Sequence, residues 1–75
     1  MQLKEAYKLA NKIEKSRLLV SVYAIKRVNG GGAWLIEVRN LVDQRITLLL
    51  SAVDWDNYRK SLVSLPSWEQ LSGGH

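Results

Sequence analysis

The chain has 75 residues, eleven Lys and Arg against seven Asp and Glu, a net charge of +4 and no cysteine. That length suffices for one domain and is too short for two, and such a domain buries only roughly 60–65 % of the surface its unfolded chain exposes. Without cysteine there is no disulfide framework, no thiolate metal site and no cysteine nucleophile.

No apolar run approaches the ~18 residues of a membrane span, and the start, Met-Gln-Leu-Lys-Glu, lacks the apolar core of a secretory signal. A cytoplasmic protein without membrane contact is expected. The charge is uneven: residues 1–17 carry +3, residues 18–53 carry +2 and residues 54–75 carry −1. A basic N-terminal two-thirds attracts polyanions.

Residues 2–15 read as an amphipathic helix. Leu3, Ala6, Tyr7, Ala10 and Ile13 recur at helical spacing with Leu9 at the edge of the stripe. Lys4, Lys8, Lys12 and Lys15 gather opposite, within roughly a quarter of the circumference at 100° per residue. Ser16 ends the helix.

From Arg17 to Val28 the period changes to two. Leu18, Val20, Val22 and Ala24 share one face, and Leu19, Ser21, Tyr23 and Ile25 the other. Asn29-Gly30-Gly31-Gly32 suits a hairpin, because its residues take positive φ at little cost. A second strand, Ala33 to Arg39, points Trp34, Ile36 and Val38 inward, and Leu35, Glu37 and Arg39 outward. After a reversal over Asn40 to Gln44, a third strand, Arg45 to Ser51, is expected with Ile46, Leu48 and Leu50 inward and Arg45, Thr47 and Leu49 outward.

Asp54 is a candidate N-cap for a second helix over Trp55 to Val63, with Trp55, Tyr58 and Leu62 on one side. Pro66 stops it near Ser64. Ser67-Trp68-Glu69-Gln70 has the spacing of a capping box, and the stretch through Leu71 could fold back on the sheet or dock into a partner. The expectation is an α+β fold: a single domain over residues 1–71, helix, three-stranded antiparallel meander, helix, with both helices on one face of the sheet. Residues 72–75 read as a flexible tail.

Nothing in the chain assembles a catalytic centre, and no cofactor or metal is implied. His75, the sole histidine, ends a glycine-rich tail and cannot be held within reach of a substrate proton. The serines therefore have no base to activate them. Asp54 and Asp56 are the only close acidic pair, and capping accounts for them. The glycine run matches no phosphate-binding loop and lies between strands rather than before a helix.

Two features point to binding. The four helical lysines suit phosphates, with Lys26, Arg27, Arg39 and Arg45 as further candidate contacts. The outward sheet face, where Leu19, Tyr23, Ile25, Leu35 and Leu49 are expected, suits a protein surface or a second copy of the chain. The leading expectation is a small basic nucleic-acid-binding or regulatory protein. The alternative is a protein-interaction or inhibitory module, a homodimer among the options.

The element order resembles that of the double-stranded-RNA-binding domain, also helix, three antiparallel strands, helix. That family reads RNA through a histidine loop after its first strand and a lysine-rich start to its last helix. Here those places hold Asn29-Gly30-Gly31-Gly32 and the acidic Asp54-Trp55-Asp56-Asn57. The resemblance is one of topology and carries over no binding residues.

Overall fold

The computed structural model describes residues 1–64, and side chains through residue 62. Helix α1 spans Leu3–Glu14, strands β1, β2 and β3 span Val20–Arg27, Trp34–Asn40 and Ile46–Leu49, and helix α2 spans Ala52–Ser64. The strands form one antiparallel sheet in the order β1-β2-β3. The element order, the meander and the mixed α+β class are those expected. The capping box at Ser67, Trp68, the Leu65–Leu71 stretch, the 72–75 tail and His75 lie outside the described residues.

One face of the sheet makes the core. Ala6, Leu9, Ala10 and Ile13 from α1 pack with Val20, Ile36, Val38, Leu49 and Trp55. Removing these side chains from water supplies most of the driving force, about 25 cal/mol per Å². Two details of the helical stripe differ from expectation. Leu9 is buried, whereas Tyr7 is 61 % exposed, because the stripe centres between Leu9 and Ala10 and Tyr7 falls on its shoulder.

Residue parity in the sheet departs from simple alternation in two places. In β1, Val22 pairs with Val38 and Ala24 with Glu37, so Tyr23 is the extra residue of a β-bulge. A bulge shifts the side-chain alternation by one position. Ile25 and Arg27 therefore turn to the helix side, opposite Ile36 and Trp34, while Ala24 and Lys26 turn outward. Ile25, expected outward, packs against the core.

In β3 the expected parity is inverted. Leu49 pairs with Ile36 and Thr47 with Val38, so Leu49 is buried at 1 % exposure while Leu48 is 52 % and Leu50 53 % exposed. The cause is the turn before the strand. Asn40 Oδ1 accepts the N–H groups of Val42 and Asp43, at 2.8 and 3.3 Å. Asp43 Oδ1 accepts the Arg45 N–H at 3.0 Å, and Gln44 takes φ 66°. These bonds fix the loop length, and with it the residue that begins the ladder.

Helix α2 starts earlier than expected, with Ser51 rather than Asp54 at its cap. Ser51 Oγ accepts the Asp54 N–H at 3.4 Å, and Asp54 Oδ2 accepts the Leu50 N–H at 2.8 Å. This reciprocal arrangement satisfies donors at the end of the strand and the start of the helix. The helix then turns Trp55 into the core, with Tyr58 edge-on to it at 6.1 Å.

Asn29 and Gly30 both have positive φ, and the Gly31 N–H reaches Val28 O at 2.9 Å. That tight turn requires left-handed residues, which Asn and Gly supply.

Replacing Ile36 by Ala leaves a cavity in this core and should cost roughly 2–5 kcal/mol, read as a lower urea midpoint with unchanged slope. Burial raises the Tyr58 phenol above its ordinary value, Asp43 adds to the rise, and the Thr47 and Asn40 side chains oppose it. The folded state thus holds this proton more tightly than the unfolded state does. Stability should fall as pH climbs through about 10 and beyond, and Tyr58→Phe should flatten that decline in alkaline urea titrations.

Candidate functional site

Helix α1 presents two opposed surfaces. Its core side anchors it to the sheet, which fixes its rotation, and the residues a half-turn away must face water. Lys4, Lys8, Lys12 and Lys15 all lie there, exposed. At 1.5 Å per residue the row is about 16 Å long.

What separates these lysines from most other basic residues is that nothing among the described residues engages them. Lys26 Nζ pairs with Glu37 Oε1 at 3.2 Å, Arg45 Nε with Asp43 at 3.8 Å and Arg59 Nε with Asp56 at 3.3 Å. The Arg39 guanidinium lies over the Tyr23 ring at 4.5 Å. Arg27 lies 5.8 Å from the Trp34 ring centroid and donates to the carbonyls of Gly30 and Gly31. Among the described residues, Lys4, Lys8, Lys12 and Lys15 make no ion pair or hydrogen bond through their amines. Arg17 and Lys60 share that state. Arg17 continues the basic row past the end of the helix, at φ 63°. It was absent from the candidate contacts drawn from the sequence, although its position two residues after Lys15 was a usable signal.

Of the further basic candidates, then, Lys26, Arg27, Arg39 and Arg45 are each held by an intramolecular partner, and Arg27 sits on the helix side of the sheet rather than outward. At the C-terminal end of α1 the row borders an open cleft of about 520 Å³ lined by Lys12, Lys15, Ser16, Leu18, Trp55 and Arg59. Its two walls belong to the two helices, and Leu18 and Trp55 make it apolar between the cations.

The outward sheet face is the second surface. The Lys26–Glu37 pair and the Arg39–Tyr23 stack cross its middle. Leu19, Leu41, Ile46, Leu48 and Leu50 are exposed around them, and Leu35 lies beside Lys26 half-buried. Of the residues expected on this face, Leu19, Tyr23 and Leu35 are there. Ile25 and Leu49 are on the core side, for the bulge and register reasons given above. Ile46, Leu48 and Leu50 take their place, so the face is more apolar along β3 than the sequence suggested.

Asp54 and Asp56 are occupied by the helix cap and by Arg59. Among the described residues no three His, Cys, Asp or Glu side chains come together as metal ligands, and no helix is long and apolar enough to cross a membrane. Comparison with protein-family models, with curated proteins and with solved structures returned no match.

Proposed function

We propose that this domain is a non-enzymatic, cytoplasmic binding module that engages the phosphate backbone of a nucleic acid through Lys4, Lys8, Lys12 and Lys15 of α1, with Arg17 extending the row. The observation carrying this reading is the contrast among the cations. Five basic side chains are spent on partners within the domain, while these five, consecutive along residues 4–17, are left to solvent.

A row of about 16 Å faces four or five phosphates of one strand at 3.4 Å per charge along the axis. Lysine ammonium groups position a protein on a backbone and do not read base edges. The expected binding is therefore insensitive to sequence and steeply dependent on salt. The acidic start of α2 plays no part in it, which separates this mode from that of the domain family with the same element order. A second reading, protein contact through the outward sheet face, is favoured by the leucines left uncovered there; the partner it implies is a second copy of this chain.

Fluorescence anisotropy with labelled duplex DNA and RNA tests the proposal. Four neutralised phosphates on DNA give a slope of log K against log salt of about −3.6. Changing Lys4, Lys8, Lys12 and Lys15 together to Gln should remove most of that slope while leaving the urea midpoint in place. Absence of binding at roughly 50 mM salt, or an unchanged slope in the quadruple variant, would overturn it.

A further inference from the structure

The two edges of the sheet are treated differently. The β1 edge is blunted: it carries the Tyr23 bulge, and the outward N–H of Val22 is taken by Glu14 Oε1 of α1 at 2.6 Å. Bulges and covering side chains are the usual means of keeping an edge from pairing with another chain. Among the described residues the β3 edge has neither device. Its residues, Ile46-Thr47-Leu48-Leu49, include no charge, no proline and no bulge.

The alternation of the ladder shows what this edge offers. Asn40 donates to Arg45 O at 2.8 Å, so Thr47 and Leu49 direct their amides toward β2. The N–H and C=O groups of Ile46 and Leu48 point the other way. Among the described residues none of them has a hydrogen-bond partner. The next outward amide, that of Leu50, is taken by Asp54 Oδ2 at 2.8 Å.

We infer that the open β3 edge pairs with β3 of a second copy, joining two domains into one six-stranded antiparallel sheet. The chemistry is self-complementary. A two-fold axis beside Thr47 sets Ile46 of each copy opposite Leu48 of the other, which uses the free amides and leaves the Leu50–Asp54 bond intact. The same register keeps side-chain parity, so the exposed Ile46 and Leu48 side chains of both copies meet on one face. Charges also complement. Arg45, 3.8 Å from Asp43 yet with its side chain 85 % exposed, precedes β3, and Asp54 follows it, so antiparallel pairing brings each Arg45 toward the Asp54 end of the other strand.

A four-residue junction is small against the ~800 Å² per partner of a standard interface, so the dimer should be of moderate affinity, forming at tens of micromolar. Because parity is preserved, both helical layers lie on the same side of the joined sheet. The two lysine rows then face one way, four strand spacings or roughly 20 Å apart. The inference stands whether or not those rows bind nucleic acid.

Sedimentation velocity of the full chain from about 5 to 500 µM, with amide exchange at both ends of that range, is the test. The wild-type chain should dimerise, with the Ile46 and Leu48 amides protected only at high concentration. Leu48→Pro removes one outward donor without breaking the β2–β3 ladder. Should the ring prove too rigid for the strand, Leu48→Lys leaves the fold intact and places a charge on the edge. Each should weaken self-association at least tenfold with an unchanged circular dichroism spectrum. A chain monomeric throughout overturns the inference, whether its edge amides exchange freely or are covered by its own C-terminal residues. So does a dimer that persists in both variants, since it would use another surface.

Discussion

The structure depends on the two-residue alternation of its central strand. β2 hydrogen-bonds on both sides, and its inward residues Ile36 and Val38 are fully buried. Every neighbour must match that alternation, because a slip by one residue would exchange the apolar and polar faces of a whole strand. Two local devices enforce the match. The Tyr23 bulge absorbs one residue in β1, and the Asn40–Arg45 turn sets which residue of β3 first meets β2. What is core, what is solvated and which amides are free all follow from these two adjustments.

The same logic governs the helices. Once Ala6, Leu9, Ala10 and Ile13 are seated on the sheet, the opposite lysines have no carboxylate of the described residues within ion-pairing distance. Elsewhere on the domain every base but Lys60 is absorbed by a neighbour, as Lys26 is by Glu37, Arg39 by the Tyr23 ring and Arg45 by Asp43. Exposed ion pairs contribute little to stability, but they reduce the charge a polyanion would meet. The field of the molecule is thus concentrated on one side, along α1 and the turn after it, and a concentrated field steers association more effectively than a dispersed one.

The element order and the faces of α1 and β2 were legible in the sequence, since Ile36 and Val38 alternate with charged residues and the helical lysines recur every three or four residues. β3 was not. Ile46, Leu48, Leu49 and Leu50 are all apolar, so hydropathy cannot choose between the two parities; the choice rests on side-chain bonds within the preceding turn. The bulge was equally hidden, because nothing in Val22-Tyr23-Ala24 marks an extra residue. For the candidate site, the sequence identified the four lysines but could not tell them from Lys26, Arg27, Arg39 and Arg45. Their difference lies in partners that only the folded chain brings near. The start of α2 shows the same limit: Asp54 is a good capping residue by type, and Ser51 takes the cap because Asp54 bonds back to Leu50 instead.

The parity of β3 can be read directly, because the chain has no native thiol to interfere. Single variants Leu49→Cys and Leu50→Cys, treated with an excess of a thiol reagent under native conditions, report which of the two positions faces water. Rapid labelling is expected at position 50, and at position 49 only when the domain opens. Fast reaction at 49 with protection at 50 would contradict it, and with it the division of the sheet into a helix-covered face and an outward one.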